Sequence, residues 1–352
     1  MTRQCRRPLK IAPVFYLATV GFAMPASAQS MQELYTKAKA EGALEFYSGG
    51  PIAPYERFIS DFKRQFPGLR VSITGGFSNV LNAKINDQLR TKKLAVDMAF
   101  FQTVQDFVAW KRQRVLLDFK PDGYDHIAPE FRDPDGAYTI VKVSAITYAY
   151  NTKLVAPADV PKSALDFLKP VFAGKLITCY PADDDATLYL FYTIVQKYGW
   201  GYMDKYMANK PNFVQGHLGV ARSVGDGANA ATFDGTSTAD AIARTGKPIK
   251  SVFSQEDATP LFTLTAGIFK DAPHPNAAKL FLTWFMEKEQ QSQLGVFSPR
   301  TDVPPPPGLK PLSSYKVANG YREFVSDAQQ IAELRKRFES YTGPVVNKGG
   351  VQ

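Results

Sequence analysis

The sequence predicts an α/β protein: parallel strands covered by helices, divided between two domains. Three observations carry this reading. The chain has 352 residues, enough for two domains of ordinary size. From residue 43 to residue 112, short apolar runs alternate with segments of helical period. Two long β-prone runs, 138–155 and 251–269, lack that period and read as passages between the domains.

The chain opens "MTRQCRRPLKIAPVFYLATVGFAMPASAQS". Arg3, Arg6, Arg7 and Lys10 form a basic region. The apolar stretch 11–24 is too short to span a membrane comfortably. Ala26-Ser27-Ala28 is a small-x-small cleavage site, so the reading is an export signal removed after Ala28. The Arg6-Arg7 pair hints at a twin-arginine route, which Pro8 and Lys10 fit badly. Removing this segment takes the formal charge from +9 to +5, which gives no argument for nucleic acid. Cys5 goes with the signal. Cys179 is then the lone cysteine, no internal disulfide can form, and it reads as a small buried hydrophobe. His126, His217 and His274 are far apart in sequence, so no His-rich metal site and no cofactor are expected.

Along the mature chain, "LEFYSGG" is a strand ending in Ser48, Gly49 and Gly50. Tyr55, Phe58, Ile59, Phe62 and Phe66 make one face of a helix that ends at Pro67-Gly68. "LRVSI" is a strand that runs into "TGGFSN". A helix follows in which Leu81, Ile85 and Leu89 share a face and Ser78 or Asn79 serves as N-cap. "VDMAFF" is a strand suited to a sheet covered on both sides, and "VQDFVAWKR" is the next helix. In an open α/β sheet, ligands bind beyond the carboxyl ends of the strands, where helix N-termini offer free N–H groups and a positive dipole end. The corners "YSGG" and "TGGFSN", with Gln102 and Thr103 after the third strand, therefore read as one wall of a binding cleft.

The second domain begins with the run at 138–155 and continues with the strand "LITCY". Asp183, Asp184 and Asp185 start a helix whose apolar face is Leu188, Phe191, Ile194, Val195 and Tyr198, with Gly199 as its C-cap. Helical "HLGVARSVGDG", strand "AATFDG" and helix "STADAIART" follow. The run 251–269 returns to the first domain. Then come a helix with Ala277, Phe281, Trp284 and Phe285 on one face, a rigid "PPPPG" segment and a closing helix "SDAQQIAELRKRFESY". The catalytic and nucleotide patterns G-x-S-x-G, Walker A and HExxH are absent from the sequence.

The crossover ending in "YNT" at 150–152, the "DAPHPNAAKLFLTWFMEKEQQ" helix and the following "SPRTDV", in this order after an export signal, carry a family resemblance. The chain resembles the extracellular solute-binding proteins of ABC transporters with the type II periplasmic-binding fold. The most similar cluster includes ferric-iron, thiamine and organophosphate binders, and the likeness runs over nearly the whole mature chain. It implies two lobes, each a mixed, mainly parallel sheet flanked by helices, joined by two crossover hinge strands. The implied division is a signal peptide at 1–28, lobe 1 at 29–140 plus 255–295, lobe 2 at 141–254, and a C-terminal helical segment at 296–352 packing on the lobes. It also implies a periplasmic monomer that is not an enzyme, takes a small solute between its lobes and delivers it to a membrane permease. The sequence departs from the iron binders. Their adjacent tyrosines are replaced by Thr236, Ser237 and Thr238 in "FDGTSTADA", and the crossover arginine is missing from "KVSAITYAYN". An organic anion held through hydrogen bonds is therefore expected rather than a metal. Iron held by other ligands and an exported α/β enzyme are the alternatives.

The expected contacts from lobe 1 are Ser48, Gly49, Gly50, Phe77, Ser78, Asn79, Gln102 and Thr103. Those from lobe 2 are Asp185, Thr187, Arg222, Thr236, Ser237 and Thr238, with Tyr148 on the crossover as a contact or a core residue and Tyr150 as core. Arg222 reads as a partner for an anion or as a solvated arginine. For an anionic solute, the three aspartates must face solvent or meet a positive part of the ligand.

Overall fold

The computed structural model describes Met1, residues 30–50 and residues 52–346. The expected export signal, with Cys5, lies outside the described residues except for Met1. Helix α1 (Met31–Glu41) opens with a capping box between Ser30 and Glu33 and stops at Gly42, whose φ of 76° is the left-handed conformation glycine adopts without strain. Strand β1 (Ala43–Gly49), α2 (Ala53–Gln65), β2 (Arg70–Gly76), α3 (Ser78–Thr91), β3 (Met98–Phe101) and α4 (Val104–Arg112) then alternate as expected. β1 pairs in parallel with both β2 and β3. The helix expected to be capped by Ser78 or Asn79 starts at Ser78, with Phe77 at the cap position and no side chain bonded there. β2 stays paired to its last residue, Gly76, so the turn into α3 falls on Phe77 alone.

The run at 138–155 is two strands, β4 (Thr139–Ala145) and β5 (Thr147–Asn151), which belong to different sheets. The chain passes from one lobe to the other at Ile146. Lobe 2 contains β6 (Ile177–Cys179), α5 (Asp185–Tyr198), α6 (Gly201–Ala208), β7 (Asn212–Val214), α7 (His217–Asp226), β8 (Ala231–Gly235), α8 (Ser237–Arg244) and β9 (Ile249–Val252). β5 runs antiparallel between β8 and β9, while β6 and β7 pair in parallel and join β8 through the Leu176–Ala231 bridge. The return run gives β9 in lobe 2 and β10 (Thr259–Ile268) in lobe 1, where β10 pairs antiparallel with β3 and β4. Both sheets are mixed because each exchanges a strand with the hinge.

Helices α9 (Pro275–Phe285) and α10 (Lys288–Ser292) and the short strand β11 (Val317–Ala318) complete lobe 1. Its core is aromatic: Phe281 of α9 packs against Phe46, Phe62 and Phe100, and Trp284 against Phe58 and Phe62. All of these except Phe58 are below 2% exposed, and burying one such side chain is worth about 1.5–3 kcal/mol. Asp97, also buried, ties three segments together by accepting from Glu45 N–H at 2.7 Å, His274 N–H at 2.6 Å and the His274 ring at 3.0 Å. The lobe 2 core centres on Phe233, which packs on Phe167, Phe191 and Tyr206. Of the last helices, α11 (Tyr321–Ser326) lies between the lobes, with Tyr321 also against Phe262 of β10, and α12 (Ala328–Thr342) packs on lobe 2. Tyr321 and Phe324 pack on Tyr189 of α5, and Phe338 packs on Phe191. No described helix is long and apolar enough to cross a membrane.

Candidate functional site

The ends of β1, β2 and β3 and the starts of α3 and α4 form the lobe 1 wall. Glycine is required here by close approach. A Cβ on Gly75 would lie 2.7 Å from Ile52 Cγ2 and 2.8 Å from the Gly50 carbonyl oxygen, and one on Gly49 would overlap Ser78 Oγ. Gly50, at φ 89°, closes the corner by donating to Gly76 O at 2.7 Å. Phe77, 49% exposed, and Asn79 stand at the rim, and Ser78 is half-buried beside Gly49. Ser48 does not reach the wall. It is fully buried beside Tyr55, because it shares the face of β1 that carries Phe46 into the core.

The lobe 2 wall is built where β6 and β8 end and α5, α7 and α8 begin. Asp184 caps α5 by accepting from Thr187 N–H at 2.9 Å, and Thr236 caps α8 through Thr238 N–H at 3.4 Å. Thr238 Oγ1 also donates to the His217 carbonyl at 3.3 Å, which links α8 to α7, and Ser237 is half-buried at the first helical position. Asp234, at the end of β8 and 1% exposed, accepts on Oδ2 from Cys179 N–H at 3.0 Å and from the hydroxyls of Thr178 and Thr187 at 3.1 Å each. Thr187, an expected contact, is therefore engaged at both its N–H and its hydroxyl.

His217, the first residue of α7, sits among acids. Its Nδ1 lies 3.5 Å from Asp234 Oδ1 and 3.6 Å from Cys179 Sγ, and its Nε2 lies 3.5 Å from Asp184 Oδ1. Burial opposes the imidazolium, but Cys179, Asp234 and Asp184 outweigh it and hold the ring protonated well above its ordinary range. Burial pushes the Cys179 thiol up to about 12, so at neutral pH the two carboxylates carry that effect. Burial also acts to raise Asp184, but His217 and the N–H groups of Thr187 and Ala186 bring it down to about 2. Asp234 is raised by burial. Phe262 of β10 stacks on the His217 ring at 6.4 Å.

The two walls touch. Gln102 Nε2 donates to Asp184 Oδ2 at 3.5 Å, and Gln105 Nε2 to Asp185 Oδ2 at 2.9 Å. Asp185 Oδ1 is paired with Arg335 of α12. Thr103 donates to Asp106, whose carboxyl is raised to about 6 by burial, with the neighbouring Asp185 adding to the shift. The aspartates were expected to face solvent or a positive part of the ligand. Asp183 is exposed, as expected, and also accepts from Gln215, whereas the other two meet protein groups: Asp184 faces His217 and Asp185 takes Arg335.

Two expected contacts lie elsewhere. Arg222 is exposed on α7, one turn and more beyond His217. Tyr148 is buried against Phe167 and donates to Asp257 Oδ2 at 2.8 Å. It lines a cavity of about 180 Å³ at the hinge, with Lys197, Tyr198, Ser254 and Lys316, which runs along the far half of α5 from the interlobe junction. His217, Asp234, Gln105 and Arg335 are the junction residues that sequence reasoning missed. The one signal for any of them was the position of Asp234 at the end of its strand.

The chain belongs to the bacterial extracellular solute-binding proteins, whose family model matches residues 57–316. Solved periplasmic binding proteins share the two-lobed fold at low identity. AfuA from Actinobacillus pleuropneumoniae, with fructose-6-phosphate bound, superposes with a TM-score of 0.72 at 18% identity over 86% of this chain and 98% of its own. Iron-bound HitA from Pseudomonas aeruginosa gives 0.69 at 16% identity over 84% and 99%. The ferric binding protein of Campylobacter jejuni gives 0.67 at 19% identity over 85% and 99%. No curated protein sequence matches the chain.

Proposed function

We propose that the protein is an exported, monomeric receptor that closes its lobes on a small organic anion and delivers it to an ABC-transporter permease. The observation that supports the anion is the state of the helix starts at the junction. α5 is capped by its own aspartate, whereas at the cleft the cap residues of α3 and α4, Phe77 and Thr103, bond no helix N–H through their side chains, and in the first turn of α3 only Val80 N–H is taken, by Asn79 Oδ1. Uncapped helix N-termini favour a carboxylate or phosphate group. Ser78, Asn79, Gln102 and Thr103 stand around those two starts and supply further donors. On the opposite wall, protonated His217 and the hydroxyls of Ser237 and Thr238 complete a polar enclosure. The junction holds hydrogen-bonding groups and a histidine kept protonated between carboxylates, and burial keeps the neighbouring Cys179 thiol protonated, which favours capture over catalysis.

Mass spectrometry of the solute released from freshly purified mature protein tests this reading. The expected result is one small carboxylate or organophosphate per chain, rebinding on titration calorimetry. A released amine or a bare metal ion in its place would overturn the anion assignment.

A further inference from the structure

We infer that Cys179, His217 and Asp234 form a binding site for a divalent metal ion of zinc-like character, set in the lobe 2 wall of the cleft. The three side chains come from the end of β6, the start of α7 and the end of β8, and their ligand atoms all lie within 4.8 Å of one another. The geometry has the scale of a tetrahedral site. Ligands about 2.0–2.3 Å from a zinc ion stand roughly 3.3–3.6 Å apart at the tetrahedral angle. Here Nδ1 to Sγ is 3.6 Å and Nδ1 to Asp234 Oδ1 is 3.5 Å.

The hydrogen bonding points the same way. Asp234 Oδ2 takes three donors, yet Oδ1 is buried with no partner and faces the cluster. His217 Nε2 is also buried without a hydrogen bond, 3.5 Å from Asp184 Oδ1. An ion between Nδ1, Sγ and Oδ1 would satisfy Asp234. It would also leave Nε2–H to donate to Asp184, the arrangement in which a carboxylate orients a metal-bound histidine. A buried histidinium between two carboxylates accounts for the charges, but it leaves Asp234 Oδ1 without a hydrogen bond and gives the thiol only its 3.6 Å contact with Nδ1.

One thiolate, one imidazole and one carboxylate suit zinc, cobalt or nickel, and differ from an all-oxygen set for calcium or magnesium. On binding, the thiol and the Nδ1 position release their protons to solvent. Three protein ligands leave a fourth position open. Of the three side chains only His217 is appreciably exposed, at 13%, and it lies beneath Phe262 on the cleft side, so the open position is available to an anionic group of the solute. That last step rests on the receptor reading; the metal site does not.

The test uses untagged mature protein, stripped with a chelator and titrated with Co²⁺ and then Zn²⁺. The expected result is one equivalent of Co²⁺ with the visible bands of a tetrahedral ion and a near-ultraviolet thiolate charge-transfer band, both removed by Zn²⁺. Cys179→Ser should lose the charge-transfer band while its circular dichroism is unchanged, and Asp184→Asn should weaken Zn²⁺ about 10–100-fold in competition with a chromophoric chelator. Wild-type protein that takes up no stoichiometric Co²⁺ or Zn²⁺ overturns the proposal, as does a cobalt complex with the same spectrum in Cys179→Ser. Solute analysis on stripped and loaded protein reads the receptor role separately: a metal-binding protein with no solute in either form refutes that role and leaves the metal site standing.

Discussion

Replacing Arg335 by alanine tests whether the C-terminal helix secures the lobe 2 wall. Arg335 pairs with Asp185 Oδ1, and the two side chains are 42% and 10% exposed. Removing one partner of a fully buried pair costs about 3–5 kcal/mol, because the other charge is left without compensation. Arg335 is well exposed, so water screens the pair and rehydrates part of the site, and the expected loss falls to about 1–2 kcal/mol. Gln105 still donates to the other oxygen of Asp185. For a chain of this size the unfolding entropy is roughly 0.7 kcal/mol per kelvin, so Tm should fall by about 1.5–3 °C. The pH dependence follows from Asp185, whose carboxyl is raised above its ordinary value by burial and held back by Arg335. Without the arginine it rises further. A carboxyl raised in the folded state destabilises the fold above that folded value, and the penalty disappears as pH falls below the unfolded one. The loss should therefore be full at pH 8 and shrink towards pH 4. Thermal melts of the single variants and of Asp185→Asn/Arg335→Ala measure it. An Arg335→Ala loss that is equally large in the Asp185→Asn background, or that does not change with pH, would refute the reasoning.

Ser78→Ala should weaken solute binding by about 1 kcal/mol, one hydrogen bond, whereas Ser48→Ala, buried beside Tyr55, should leave affinity alone; calorimetry on both variants separates wall from core. Asp257→Ala removes the acceptor for Tyr148, Tyr198, Lys197 and Ala164 N–H and should cost about 3 kcal/mol in urea unfolding at pH 7. Burial acts to raise Asp257, but Lys197 and its other donors hold it below its ordinary value, so this loss should fade as pH drops through the carboxylate range. Gln105→Ala should open the solute-free protein, read as a larger radius of gyration in small-angle scattering that returns on adding solute. An unchanged radius in both states would count against closure.

The helices and strands of lobe 1 were legible because each is short and locally consistent. Phe58 and Phe62 repeat at helical spacing, Gly75-Gly76 marks a close approach, and "VDMAFF" reads as a covered strand. The hinge was legible as extended chain, but its division was not. The break at Ile146 depends on which sheet each half joins, which is set by pairing with strands far along the chain, from Tyr150 with Ala231 to Thr139 with Ala266. α1 carried a capping box, Ser30 with Glu33, whose signal was weakened by its position next to the expected export signal. The junction was legible only in part. Counting hydroxyls in "FDGTST" overlooked Asp234, which organises Thr178, Cys179 and Thr187 around one oxygen. His217 looked isolated because its partners are 38, 33 and 17 residues away in sequence; folding brings them together where strands and helix starts converge. Arg335 reaches Asp185 across a separation of 150 residues, which no local pattern encodes.

The same junction explains how a receptor of this kind can respond to its solute. Each lobe has its own sheet and its own aromatic packing, around Phe281 in one and Phe233 in the other, and the buried apolar residues run on from one lobe into the other. The direct hydrogen bonds between the walls are Gln102 to Asp184, at the long limit of 3.5 Å, and Gln105 to Asp185. A hydrogen bond to a charged group is worth about 1.5–3 kcal/mol, and the long one less, so these bonds bias the lobes without locking them. Asp106 opposes them, because its carboxyl faces Asp185 across the same gap. If the lobes open and close as proposed, closing bonds set against this carboxylate repulsion would bring the two arrangements nearer in free energy. A solute that adds hydrogen bonds to both walls at once then supplies the difference in affinity that shifts the population, about 1.4 kcal/mol for each factor of ten. Stronger permanent bonds between the walls would hold the cleft closed without solute, and the protein would lose the contrast between its empty and loaded states on which delivery depends.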